Sequence, residues 1–415
     1  MTVDKRVSRR DFNKLVAGAG TAVTLAPFSV VRAEAKKLKV GVLLPRSGTQ
    51  ALIGQSCYKG AELAPAVIKQ LLGVDVEIMN ADTESNGDVA RTRAERLIQD
   101  GAHVLVGAFD SGHTAAVAQV AEQRGIPHVI NIAGAPQITE QGYKFVFRNF
   151  PPAPELVKNG LALLNDIFTA SHATPKTAVF MHVNDTFGQS MAKGVLANLP
   201  ALKLPFQILE TISYDPAAKE LSLEVAKAKA AHPDLLLVVC RLNDAIVLRR
   251  EMVKQRFSPM GIVSPGSPGL YEEQFTKALG KHAEYAICNT AWYNPKSQAT
   301  KLVTAALKKS EPKTELAFHG TNVGYTLDAI LIAADAFKRA GSSDPKLLVE
   351  AIRKTNIASD VRMSLGSAIQ FNAKGQVEGN RSAVIQNLRG KPVVTLPSDI
   401  AEASVVFPSP EYKKT

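Results

Sequence analysis

From Lys39 onward, short apolar runs rich in Val, Ile and Leu alternate with longer stretches whose apolar residues recur every three or four positions. Gly, Pro, Asp and Ser collect at the junctions. That alternation is the pattern of βα units wound around parallel sheets. It predicts strands from Leu38 to Leu44, Val74 to Ala81, Val104 to Gly107 and His128 to Ile132, with helices from Tyr58 to Leu72, Asp88 to Gln99 and Thr114 to Arg124. Phe145 to Asn149 then runs into Phe150-Pro151-Pro152-Ala153-Pro154, where proline opposes both helix and sheet pairing, so the chain is expected to cross between domains here. The alternation restarts with strands Ala178 to Val183, Gln207 to Ile212, Leu235 to Cys240 and Gly261 to Val263, separated by helices near Phe187 to Leu199, Lys219 to Ala231 and Ala245 to Phe257. After Ala286 to Thr290 comes a second expected crossing at Ala291 to Pro295. Three helical stretches follow, the longest from Thr321 to Ala340, and then strand-like segments at Ala368 to Phe371, Ala383 to Asn387 and Pro392 to Thr395. Two similar α/β halves joined more than once leave a cleft between them, a usual place for a small ligand.

The N-terminus carries a different signal. Ser8-Arg9-Arg10-Asp11-Phe12-Asn13-Lys14 precedes an apolar run from Leu15 to Leu25 and then Pro27, a basic segment followed by a short greasy one, as in export signals. The run is too short to span a bilayer. The paired arginines resemble the twin-arginine class, with an ordinary Sec signal as the alternative, and cleavage is expected between Ala33 and Ala35. Cutting after Ala33 leaves 43 basic and 36 acidic residues, a net charge of +7. No basic run or basic–aromatic interleaving accompanies that charge, which argues against a nucleic-acid surface. Cys57, Cys240 and Cys288 are too few and too scattered for a disulfide framework, and the eight histidines show no metal-ligand spacing. No metal and no cofactor are expected.

Gly107-Ala108-Phe109-Asp110-Ser111-Gly112-His113-Thr114 follows a predicted strand and opens a helix, as a phosphate-binding loop would, but His113 stands where such a loop needs lysine. The same geometry still offers exposed amides around Gly112 and the Ser111 hydroxyl to an anion such as a carboxylate. A plain helix cap by Asp110 or Ser111 is the other reading of the segment. No nucleophile elbow, His-Glu-x-x-His helix or Cys-x-x-Cys pair appears, so catalysis has no support.

Together these features resemble the Leu/Ile/Val-binding proteins of ABC importers. Val40-Gly41-Val42-Leu43-Leu44-Pro45-Arg46-Ser47-Gly48 with Gly60-Ala61-Glu62-Leu63-Ala64, Val104 through Ser111, Gly125-Ile126-Pro127, Asn184-Asp185-Thr186-Phe187-Gly188, Gly324 through Ala329 and Phe371-Asn372-Ala373-Lys374-Gly375 match that family in order. The resemblance implies a type I periplasmic binding protein fold: two doubly wound parallel-sheet lobes joined by a multi-strand hinge. Lobe 1 would take 36–151 and 292–375 and lobe 2 would take 152–291 and 376–415, after a signal peptide at 1–35. It further implies that Ser111 and the loop Ile132 to Gly134 grip a ligand carboxylate, and that Phe187 closes over the ligand from the second lobe.

Two departures bear on the ligand. Amino acid binders of the family carry an acid after the proline that matches Pro265, and here that residue is Gly266. Either Asp110 supplies the counter-charge from the other lobe, or the ligand has no amino group. Arg46 and Arg241 stand where relatives carry neutral or aromatic residues. Each is either a partner for an acidic group or a solvated surface residue. The resemblance implies a monomer in the periplasm that hands a small carboxylate, an amino acid or an aromatic acid, to a membrane permease and ATPase. A sensory protein of the same fold is the alternative.

Overall fold

The computed structural model describes residues 37–412, and the expected export signal lies outside the described residues. The strands are β1 (Leu38–Leu44), β2 (Val76–Asp82), β3 (Val104–Gly107), β4 (His128–Ile130), β5 (Val146–Arg148), β6 (Thr177–Val183), β7 (Gln207–Tyr214), β8 (Leu235–Val239), β9 (Gly261–Ser264), β10 (Ile287–Ala291), β11 (Ser382–Leu388) and β12 (Lys391–Leu396). The helices are α1 (Ala51–Leu72), α2 (Gly87–Gln99), α3 (Ser111–Arg124), α4 (Ala153–Ser171), α5 (Thr186–Leu202), α6 (Ser222–Ala230), α7 (Leu242–Lys254), α8 (Glu273–Leu279), α9 (Gln298–Ser310), α10 (Leu316–Ala340) and α11 (Pro345–Arg353).

Two sheets divide the strands. The first has the order β2-β1-β3-β4-β5, parallel throughout. The second repeats that order as β7-β6-β8-β9-β10, again parallel. This is a doubly wound α/β fold with two lobes. In each sheet the winding reverses beside the opening strand, so the loops after β1 and β3, and those after β6 and β8, diverge and leave a crevice at the strands' C-terminal ends.

β11 and β12 extend the second sheet as an antiparallel hairpin, turned at Arg389 and Gly390, which both have positive φ. The parallel strands are apolar on both faces because helices cover both: β3, β4 and β8 are buried at every position. α10 is buried along most of its length and packs on α1.

Several expectations are corrected. α1 begins at Ala51 rather than Tyr58, because the buried stripe Ile53, Cys57, Ala61, Ala64, Ile68 starts earlier than the poor helix formers Gly54 and Ser56 let the pattern show. The proline-rich segment after Phe150 does not hold off a helix. Pro154 sits in the first turn of α4, where a missing N–H costs nothing, and the stripe Leu156, Leu161, Leu164, Ile167, Phe168 is buried behind it. Ala368 to Phe371 forms no strand and makes only isolated bridges, Ile357 with Ile369 and Phe371 with Val377. All three cysteines are buried free thiols.

Candidate functional site

Both crevices open onto one shared space. Gly107 ends β3 with φ +135°, and a Cβ there would collide with the Leu43 carbonyl, so the backbone passes close to β1 before turning into α3. Asp110 caps α3, its Oδ1 accepting the Gly112 amide at 2.8 Å. In the second lobe Asp185 caps α5 by accepting the Gly188 amide at 2.8 Å. Arg241 precedes α7, and its own amide donates to Asp244 Oδ1 at 3.0 Å. Three helix N-termini therefore converge, and each positive end is met by a carboxylate.

The side chains then join across the crevice. Arg241 Nη2 donates to Asp110 Oδ2 at 2.8 Å, and Nη1 pairs with Asp185. Gln50 Nε2 adds a bond to Asp110 Oδ2 at 3.2 Å, and the Phe187 ring lies 4.9 Å from the Arg241 guanidinium. Burial alone would lower the Arg241 pKa, but Asp110 and Asp185 outweigh it and hold it above its ordinary value. Burial would likewise raise the Asp110 carboxyl, yet Arg241, with His113, Gln50 and the Gly112 amide, holds it below the usual range.

Behind this triad lies a small cavity of about 40 Å³, walled by residues of both lobes. Its walls are largely apolar and aromatic: Phe109, Phe150, Phe187, Tyr271 and Ile132. The polar groups are few: Ser111, Thr290, Thr321 and Asn322. Ser111 Oγ accepts the Ala135 amide at 3.3 Å, which ties the start of α3 to the loop after β4.

Of the residues singled out from the sequence, Asp110, Ser111, Ile132, Gly134, Phe187, Arg241 and Gly266 all line this cavity. Gly112 does not: it is exposed, and its amide is engaged by Asp110. Arg46 is not brought to it either. It is exposed, its guanidinium 3.9 Å from the Tyr58 ring centroid. Gly266 has φ +127°, and a Cβ there would press within 2.8 Å of Leu156 and Met191, so its backbone admits glycine alone.

Asp185, Phe150, Tyr271, Thr290, Thr321 and Asn322 were not foreseen. Asp185 had a readable signal, an acid one residue before a helix at the end of a strand. The others come from segments distant in sequence that only the tertiary fold assembles. Among the described residues no three His, Cys, Asp or Glu side chains converge as metal ligands would.

Comparison with known proteins agrees with this architecture. A family profile described as "Periplasmic binding protein" matches residues 37–390. The Leu/Ile/Val-binding protein homolog 8 of Brucella abortus (strain 2308) is 24% identical over 417 residues, covering 95% of this chain and 99% of that protein. A leucine-binding protein from Thermotoga maritima superposes with a TM-score of 0.73 at 22% identity, covering 86% of this chain and 97% of that one. An ABC-transporter solute-binding protein from R. palustris, solved in complex with benzoate, gives 0.72 at 21% identity, covering 86% and 95%. The chain belongs to the periplasmic binding protein family, among relatives of the Leu/Ile/Val-binding type.

Proposed function

We propose that this protein is the extracytoplasmic solute-binding component of an ABC importer, which closes two lobes on a small carboxylate and delivers it to a membrane permease and its ATPase. Lobe 1 is assigned to 36–151 and 292–375 and lobe 2 to 152–291 and 376–415, preceded by an export signal that directs the chain to the periplasm. The observation that carries the reading is the cavity between the two switch points, with the Ser111 hydroxyl on one side and the Phe187 ring on the other. The ligand carboxylate is assigned to Ser111 and the loop 132–134, where donors at a helix N-terminus suit an anion.

The charges favour a ligand without an amino group. Asp110 is already matched by Arg241 and Gln50, and no acid can stand at Gly266. A buried ammonium would lack a counter-charge, at a cost of several kcal/mol. The aromatic walls fit a flat or hydrophobic acid, and the R. palustris neighbour was solved with benzoate.

A thermal-shift screen of amino acids, dicarboxylates and aromatic acids tests the class, since a ligand that binds the folded state raises its melting temperature. Aromatic or hydrophobic monocarboxylates should raise it and leucine should not. A shift with aliphatic amino acids alone would overturn the ligand class. Ser111→Ala and Phe187→Ala should each weaken binding, and unchanged affinity in both would remove the site assignment.

A further inference from the structure

Glu272 is an acid that the ion triad does not use. It lies between β9 and α8, next to the cavity residue Tyr271, and is 5% exposed. Its Oε1 is buried without a hydrogen-bond partner. The polar side chain facing the carboxyl is Asn322 of α10, which belongs to the opposite lobe in the assignment above. The same segment meets α10 twice more: Tyr271 reaches Thr321, and Glu273 Oε2 lies 3.7 Å from His319 Nε2. Asn322 in turn donates to Ser56 on α1 at 3.2 Å, whose hydroxyl meets His319 Nδ1 at 2.9 Å. The Glu272 carboxyl is thus sealed at the junction of the lobes, with no cation beside it among the described residues. A charge there is poorly compensated, whereas opening the lobes would return it to water.

We infer that Glu272 holds a proton while the lobes are closed and releases it when they open, so that ligand capture takes up a proton from solution. The inference rests on the carrier reading, because it needs closure to accompany binding.

The direction of titration agrees. Burial raises the Glu272 carboxyl to about 8, against the lowering effect of Asn322 and with the Glu273 charge adding to the rise. Cys57 from α1, Cys288 from β10 and Tyr271 also face it. Burial pushes all three up, away from neutrality, so none changes charge in the same range. His319, opposite Glu273, is moved by burial the other way, below its ordinary 6.5, so its titration lies on the acid side of the Glu272 step. The sign follows. Between the ordinary glutamate range and about 8, the open form is ionised and the closed form is protonated, so affinity falls as pH rises. Above that value both forms are ionised and the dependence flattens. From pH 7 to pH 9 the dissociation constant should rise about tenfold.

Calorimetric titration of the protein with benzoate and with leucine, at pH 7 and pH 9 and in buffers of different ionisation heat, tests the inference. The wild type should take up close to one proton per ligand at pH 7 and bind about tenfold more weakly at pH 9. Glu272→Gln should take up none and bind equally at both. No proton uptake with pH-independent affinity in the wild type would overturn the inference, as would an unchanged pH profile in Glu272→Gln. If neither probe binds, the carrier reading fails and takes the inference with it, whereas binding without proton uptake removes the inference alone. The infrared difference between liganded and unliganded wild type reads the proton directly. A protonated-carboxyl band that appears on ligand binding at pH 7 and is missing in Glu272→Gln supports the inference, and its absence overturns it.

Discussion

Arg241 Nη2 stands 2.8 Å from Asp110 Oδ2, and the two residues open helices that rise from different sheets. Both come from loops at switch points, Asp110 after β3 and Arg241 after β8, so the doubly wound topology itself brings them face to face. With Asp185 they make a triad of one cation and two carboxylates, whose side chains are only 15%, 12% and 25% exposed. The pair therefore joins the lobes and also bounds the cavity.

Removing the cation should loosen that joint. Arg241→Ala leaves Asp110 and Asp185 facing each other without a counter-charge. Breaking a buried pair in this way costs about 3–5 kcal/mol. With benzoate at saturation, small-angle scattering of the variant should give a larger radius of gyration than the wild type, with Asp110→Asn intermediate. The pH dependence has a definite sign. Because the Asp110 carboxyl is held below its ordinary 3.8, its contribution is complete at neutral pH and is lost as pH falls through and below that value. The difference between wild type and Asp110→Asn should therefore vanish in acid. Equal radii for all three proteins at pH 7 would show that the triad does not hold the lobes.

Much of the sheet framework was readable because each buried parallel strand is a continuous apolar run between polar junctions, as in Leu235–Val239. Boundaries failed where local chemistry conflicted with the pattern. Prolines hid the start of α4, and glycine and serine hid the first turns of α1. The residues singled out from the sequence that line the cavity came from recognisable loops at strand ends. Tyr271, Thr321 and Asn322 had no such marker. Nor did sequence reveal that Asp110 and Arg241, each considered for the ligand, would pair with each other. That needs the relative placement of residues 131 positions apart.

Gly266 gives a prediction about both stability and specificity. Its φ of +127° and the nearness of Leu156 and Met191 mean that any side chain strains the loop after β9. Gly266→Ala should destabilise the protein by about 1–3 kcal/mol, the range for a strained backbone residue, read from urea unfolding. Gly266→Glu, which restores an acid at this position, should lose stability as well and gain no leucine affinity. Leucine binding by that variant would show that the glycine, rather than the loop conformation, excludes the amino group.

Arg148 sets the shape of the loop 132–134 from beneath. It is 1% exposed, and among the described residues no carboxylate pairs with its guanidinium. Nη1 donates to the carbonyls of Ala133 and Ala135 at 3.0 and 2.7 Å, Nη2 to Thr139 Oγ1 at 2.7 Å, and Nε to Gln376 Oε1 at 2.6 Å. One side chain therefore fixes both sides of Gly134 and links β5 to the returning segment at Gln376. Burial pushes its pKa down to about 10, still well above neutral, so it remains a cation at working pH. Arg148→Met fills similar volume but leaves these acceptors without a donor, at about 1–3 kcal/mol for each group left buried and unpaired. The variant should unfold at lower urea and, on the ligand assignment proposed above, bind a carboxylate more weakly, because the loop 132–134 loses its support. Arg148→Lys should rescue little, since a single ammonium cannot reproduce the guanidinium fork. Full affinity in Arg148→Lys would mean that charge alone, and not the fork, supports the loop.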